Sequence, residues 1–344
     1  MRKKPPETAP GQPPPSLPGQ ADRLLRQLEW HVIRRLDGLL QGDYRTLVRG
    51  SGLDLADLRE YQPHDDVRHI DWNVTARLNA PHVRVFTEDR EMSAWFLLDL
   101  SPSIHFGPQG RAKRDILTGF VAVLARLLTR HGNRVGAMLY GAGGVGSAKA
   151  AEGHGVRAVD AVLPPRSSRA QVLHLVHRLL QPGTAQPSGG TQLGLLLQAG
   201  LGGIRRRSTV FVVSDFISAP GWEKPLAQLA QRHDVVAVRL FDPLELELPD
   251  LGLVLLRDAE TGEQLQVDTH DRAFRQRFAR LAAEREATLR AGLAAAGADT
   301  LELRTDDDLI DALLRFMDLR QRRAGPRRRA FKPSPRPTSG QAAA

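Results

Sequence analysis

From about His82 onward the chain alternates between two hydrophobic rhythms. SAWFLLDL (93–100), RVGAMLYG (134–141), TVFVVSDF (209–216) and DVVAVRLFD (234–242) are short runs, largely apolar, as strands covered on both faces are. HVRVFTED (82–89) alternates apolar and polar positions, VRAVDAVL (156–163) reads as a further strand, and TLEL (300–303) as a short one. Between these runs the apolar period lengthens to that of a helix. Residues 111–131, with Ile116, Phe120, Val123, Leu124 and Leu127 on one stripe, predict a long helix. Further helices are predicted over 168–181, 191–205, 222–232, 271–296 and 306–320. A hairpin is predicted around Leu253 to Val267, turning at DAETGE (258–263). Strands that alternate with helices predict an α/β fold from about 82 to 320. Its sheet is doubly wound and mostly parallel, with the hairpin inserted near 250–268.

The first 81 residues follow another pattern. Residues 1–20 are rich in proline and predict a disordered tail. Leu24, Leu25, Leu28, Val32, Leu36, Leu39 and Leu40 then recur at helical spacing, which predicts an amphipathic helix over 21–40. The stretch from Gly50 to Arg77 is polar and turn-rich and reads as irregular, with room for a short helix. The organisation is thus a tail (1–20), a helical and irregular extension (21–81), the α/β domain (82–320) and a basic tail (321–344).

Charge changes the picture only at the ends. The formal charge is +9, from 48 Lys and Arg against 39 Asp and Glu. The last residues, from Leu319, carry eight basic side chains and no acid, so the basicity belongs to the tails rather than to a folded face. Such tails admit a nucleic-acid or anionic-membrane binder as an alternative reading. They lack the interleaved aromatics that base stacking uses, so nucleic acid is not the expected partner. There is no cysteine, which excludes disulfides and thiolate metal sites. No apolar run approaches the roughly 18 residues of a membrane span, and no secretory leader is read at the N-terminus. A cytoplasmic location is the default expectation.

The candidate chemistry lies where apolar strands end. In open α/β sheets, ligands bind beyond the carboxyl ends of the strands. The 93–100 run ends in Asp99, followed by Ser101 and Ser103 (D-L-S-P-S). The 209–216 run carries Asp215 at its end, and the loop SGGTQL places Thr191 before a helix. Five hard oxygen donors without His or Cys suit a small hard cation, magnesium first, with manganese or calcium as substitutes. Gly189 and Gly190 are expected to let the backbone before Thr191 approach closely.

D-x-S-x-S, a distant Thr, then an Asp after an apolar strand resembles the metal-ion-dependent adhesion site of von Willebrand factor A domains. The upstream stretch DLREYQPHDDVRHIDWNVTARLNAPHVRVFTEDRE is similar to the signature of the domain-of-unknown-function-58 family. The matching residues are Arg59, Tyr61, Asp65, Asp66, Arg68, Ile70, Asp71, Trp72, Ala76 and Arg77. Departures are His64, where glycine is common, and Ile104, where methionine is. The resemblance runs from about Leu24 to Asp318. It implies a von Willebrand factor A-like fold and a MoxR-type AAA+ ATPase as partner, with the chain acting as an adaptor or co-chaperone and not as an enzyme.

Other readings compete for the same residues. Asp99, Ser101 and Ser103 also fit a turn and helix-cap cluster. Asp99 also fits a phosphoryl-accepting nucleophile, although such sites usually carry an acid where Ser101 stands, and an undetected metal-dependent hydrolase is the corresponding function. GAGGVG (141–146) fits G-x-G-x-x-G after a strand, but no helix pattern follows, so a hairpin or loop is expected. DTHD (268–271) is expected to cap the long helix rather than bind metal. The block from Arg59 to Arg77 reads either as a partner surface or as a clasp. In the clasp, Asp65, Asp66, Arg68 and Asp71 pair with one another and Trp72 is buried.

Overall fold

The computed structural model describes residues 17–28, 54–63, 65–87, 93–108, 110–141, 159–181 and 190–323. In chain order the elements are α1 (Leu17–Leu28), β1 (Asp54–Glu60), α2 (Trp72–Leu78), β2 (His82–Thr87), β3 (Ser93–Asp99) and α3 (Lys113–Arg130). Then come β4 (Arg134–Tyr140), β5 (Ala161–Arg166), α4 (Arg169–Leu180), α5 (Leu193–Gly203), β6 (Thr209–Ser214), α6 (Glu223–Arg232) and β7 (Asp234–Phe241). The chain continues with β8 (Leu253–Arg257), β9 (Gln264–Asp268), α7 (Arg272–Ala296), β10 (Asp299–Arg304) and α8 (Leu309–Arg323).

Six strands form the central sheet in the order β10-β7-β6-β3-β4-β5. All neighbours are parallel except β4 and β5. The all-apolar strands are explained by burial on both faces. In β3, Ala94, Phe96 and Leu98 join a core beneath α1, α3, α4 and α8, while Trp95 and Leu97 join a second core beneath α5, α6 and α7. Strand β6 divides the same way, Phe211 and Val213 to the first core and Val210 and Val212 to the second. Phe211 stacks on Phe96 at 5.2 Å and meets the edge of Phe120 at 6.3 Å, contacts worth about 1 kcal/mol each beyond the area they bury.

Four boundaries differ from the expectation. The helix expected from 21 begins at Leu17, inside the expected tail, with Pro18 in the first turn, where its missing N–H costs nothing; its Ala21 and Leu25 are buried in the first core. The remainder of that helix and the tails at 1–16 and 324–344 lie outside the described residues. The stretch expected to be irregular contains β1, which pairs antiparallel with β2 in a separate two-stranded sheet, so 82–87 is not part of the central sheet. Alternation reports one covered face but not which sheet covers it. The fourth difference is β5, which begins at Ala161, not Val156, and holds Pro164 and Pro165, tolerated because it is the edge strand. The glycine-rich 142–146 lies outside the described residues.

The winding places the site. From β3 the chain steps outward through β4 to β5, then returns to β3's other side at β6 and proceeds to β7 and β10. The direction reverses between β3 and β6, which opens a crevice at their carboxyl ends, the usual ligand position in such sheets. Asp99 ends β3 and Asp215 follows β6.

Candidate metal centre

The five predicted residues come together in this crevice, and all are buried. After Asp99 the chain curls into a single 3₁₀ turn over Pro102–His105, with proline in its first position. The curl brings the Ser101 and Ser103 hydroxyls within 3.2 Å. Ser101 N–H donates to Asp99 Oδ1 at 3.1 Å, and Ser214 Oγ donates to Asp99 Oδ2 at 2.7 Å. Gly141, at the end of β4, is required here. Its φ is +79°, and a Cβ would lie 2.7 Å from Ser101 N.

The β6 end is held by a strained turn. Phe216 takes a left-handed φ of 59°, a conformation costing roughly 1–2 kcal/mol for a residue with a Cβ. It is held by burial, by a T-shaped contact with Trp222 at 5.3 Å, and by its N–H donating to Ser214 Oγ. The turn aims Ile217 N–H at Asp215 Oδ1, 3.0 Å away. Thr191 is tied to the same turn. Its carbonyl accepts from Ala219 N–H and Ser218 Oγ, and Ser218 Oγ accepts from Leu193 N–H. Gly190 has a φ of +57° but no atom near its missing Cβ, so its role is conformational rather than the expected close approach. Gly189 lies outside the described residues.

Three charged residues missed from the sequence complete the cluster. Lys113, in the first turn of α3, is fully buried, with Nζ 2.8 Å from Asp215 Oδ2 and 2.6 Å from Glu245 Oε1. Only six of the chain's 48 basic Lys and Arg residues are lysines. A compact ammonium fits a closed site that a planar guanidinium would not, so a lone lysine among arginines was the available signal. Glu260, in the β8–β9 turn, accepts from Thr191 Oγ1 at 2.9 Å and from Ser103 N–H at 3.3 Å. Tyr140 at the end of β4 accepts from Gln192 N–H, and its pKa is raised, first by burial and then by Asp99 and Glu260 despite that bond.

The Lys113 ammonium is paired with two carboxylates, Asp215 and Glu245, while Glu260 bonds Thr191 and Ser103 and Asp99 bonds Ser101 and Ser214. The pKa of Asp99 is pushed from 3.8 up to about 6. Burial is the main cause and the neighbouring Asp215 the second, against the hydrogen bonds from Ser214 and Ser101. Among the described residues no three His, Cys, Asp or Glu side chains are grouped as a metal cluster. The donors here are instead two carboxylates and three hydroxyls, and a hard divalent cation would relieve the buried charge. Both acids have both oxygens engaged, Asp99 by the neutral donors Ser101 N–H and Ser214 Oγ, Asp215 by Ile217 N–H and the Lys113 ammonium. Of the two, Asp99 is the acid that bears no ion pair.

The upstream block is partly local structure and partly exposed. Arg59 reaches Asp65 through two hydrogen bonds, one of 2.7 Å. Asp66 accepts from Arg68 N–H, and Asp71 caps α2 through Asn73 and Val74 N–H. Tyr61 is half-buried and Arg77 exposed. Trp72, expected to be buried in the clasp, is 70% exposed. As the first residue of α2 after its cap it points outward, and Val67 and Leu78 of the same block are also exposed. The cap expected from DTHD is Asp271, which accepts from Ala273 N–H. No helix among the described residues is long and apolar enough to cross a membrane.

Comparison with known proteins places the chain. Uncharacterised proteins of Mycobacterium bovis and Mycobacterium tuberculosis are 37% identical over 318 residues, 91% of this chain and 95% of theirs. Among solved structures, the conserved hypothetical protein BatB from Bacteroides thetaiotaomicron is similar at 12% identity and a TM-score of 0.41, over 67% of this chain and 99% of that one. The model of the family described as "Protein of unknown function DUF58" matches residues 57–288, which include the upstream block and all five residues of the crevice, and the chain belongs to that family.

Proposed function

We propose that the chain is a magnesium-dependent protein-interaction module of von Willebrand factor A type. Asp99, Ser101 and Ser103 hold the ion, and Thr191 and Asp215 complete the site. The carrying observation is the convergence of these five buried side chains at the switch point between β3 and β6, around a carboxylate whose pKa is raised first by burial and then by the neighbouring Asp215. An ion held by few charges and several hydroxyls stays electrophilic and accepts a further carboxylate from a partner. Binding, not catalysis, is the task this supports. By family resemblance the partner is a MoxR-type AAA+ ATPase, and the chain serves it as an adaptor or co-chaperone in the assembly or maturation of another protein. The exposed Trp72, on the same stretch as exposed Arg68 and Arg77, adds residue types favoured at interface hot spots.

The test is capture from the lysate of the source cells with the purified protein as bait, in magnesium and in chelator, with wild type and Asp99→Asn, and identification of what is retained. The expected result is a MoxR-type ATPase held by wild type in magnesium and lost in the other three conditions. Capture of that ATPase indifferent to both magnesium and Asp99 would remove the ion from the interaction.

A further inference from the structure

The β8–β9 hairpin reaches the crevice from outside the central sheet. Its turn is pre-organised. Asp258 Oδ1 accepts from Glu260 N–H and Thr261 N–H, both at 2.8 Å, and Gly262, at φ +75°, closes the turn through its N–H to Asp258 O at 3.0 Å. These bonds fix the backbone of Glu260 and direct its side chain to Thr191 and Ser103. At the base, Thr269 is buried, and its hydroxyl donates to Gly252 O and accepts from Leu251 N–H. Between base and tip the strands are thinly attached, since Leu253, Leu255 and Leu265 are all more than 60% exposed. The hairpin is therefore a strap, anchored firmly at one end and by one carboxylate at the other.

That carboxylate stands on two of the five residues of the crevice. We propose that Glu260 is the chain's own ligand for this site. It takes the place of a partner's carboxylate, so the partner presents an acidic side chain on a tight turn and must displace the hairpin tip to bind. The inference rests on the magnesium-site reading above and adds an internal competitor for the partner's carboxylate and the turn on which the partner presents it. Release of the tip breaks the bonds from Thr191 and Ser103, while the buried Val267 and Thr269 hold the base.

The probe is a blocked synthetic peptide with the sequence of residues 257–264 (RDAETGEQ), followed by fluorescence anisotropy in magnesium and in chelator. Glu260→Gln removes the internal carboxylate's charge at a half-buried turn position. Glu263→Gln, on the same turn with no bond to the crevice, is the control. The expected result is that Glu260→Gln binds the peptide at least tenfold more tightly than wild type or Glu263→Gln. That gain vanishes in chelator and with a peptide carrying Gln in place of the glutamate corresponding to Glu260. Equal peptide affinity in wild type and Glu260→Gln, while magnesium still raises the thermal stability of both, would overturn the internal ligand and leave the metal site standing. If magnesium stabilises neither protein and the peptide binds neither, the metal site and this inference fall together.

Discussion

Replacing Asp99 with asparagine removes a charge while leaving a side chain of the same shape, and the structure assigns the sign of the effect. Asparagine can still accept from Ser101 N–H, and its amide can donate to Ser214 Oγ, so the hydrogen bonds survive in altered polarity. What changes is the cost of ionising a buried carboxyl beside Asp215. The folded-state pKa is raised from 3.8 to about 6, and at about 1.4 kcal/mol per pH unit the ionised form destabilises the fold by roughly 3 kcal/mol. Below pH 4 the carboxyl is protonated in both folded and unfolded states and costs nothing. Between pH 4 and 6 the unfolded chain releases its proton first, so the wild type loses stability as pH rises, and the loss is complete above pH 6. In chelator, Asp99→Asn is therefore expected to be the more stable protein at pH 7.5, by about 1–3 kcal/mol, with the gap closing toward pH 4. Magnesium at a hundredfold excess over its Kd is expected to return about 2.7 kcal/mol to the wild type and nothing to the variant. Urea denaturation over pH 4–8, with and without magnesium, measures both. A variant less stable than wild type at pH 7.5 in chelator, with no gap that varies with pH, would refute the claim that the buried Asp99 carboxyl is costly to ionise.

Lys113→Met leaves Asp215 and Glu245 without their ammonium and is expected to destabilise by about 3–5 kcal/mol, read as a fall in the urea midpoint; a loss under about 1 kcal/mol would mean the ion pair contributes little. Gly141→Ala places a Cβ against Ser101 N in a left-handed conformation and is expected to cost more than about 1 kcal/mol, with the magnesium-induced rise in melting temperature lost as well. Trp72→Ala is expected to leave stability within about 0.5 kcal/mol, since the ring is mostly exposed, while weakening ATPase capture at least tenfold; unchanged capture would make the ring a bystander.

The strands β3, β6 and β7 were legible because burial on both faces leaves continuous apolar runs that no helix of that length would show. Asp99, Ser101 and Ser103 were legible because a ligand loop after a strand is local in sequence, and Thr191 and Asp215 because each abuts an element with a clear period. Strand β2 was legible as a strand and misplaced, since its partner β1 lay in a charged stretch whose pattern does not read as a strand. Trp72 was expected inside because large aromatics usually are, yet it follows a capping aspartate on a short helix with no buried residue. Lys113 and Glu260 were invisible as a set. Lys113 meets Asp215 across 102 residues and Glu260 meets Ser103 across 157, and only the folded topology brings such charges to one crevice.

This long-range set changes the meaning of the local motif. Read from the motif alone, Asp99 and Asp215 are two equivalent acids offered to one cation. In the fold they have divided their work. Asp215 shares the Lys113 ammonium with Glu245 and is held by Ile217 N–H, so it is tied into an ion pair inside the protein, and removing it would leave the buried ammonium with Glu245 alone. Asp99 has hydrogen bonds but no ammonium, and its charge is the one left over. Asp215 is thus tied into the ion pair of the fold, and Asp99 is the acid held by neutral donors alone. On the magnesium-site reading proposed above, a divalent ion would relieve the buried Asp99 charge without breaking the Lys113 pair, the property an ion-dependent interaction switch requires.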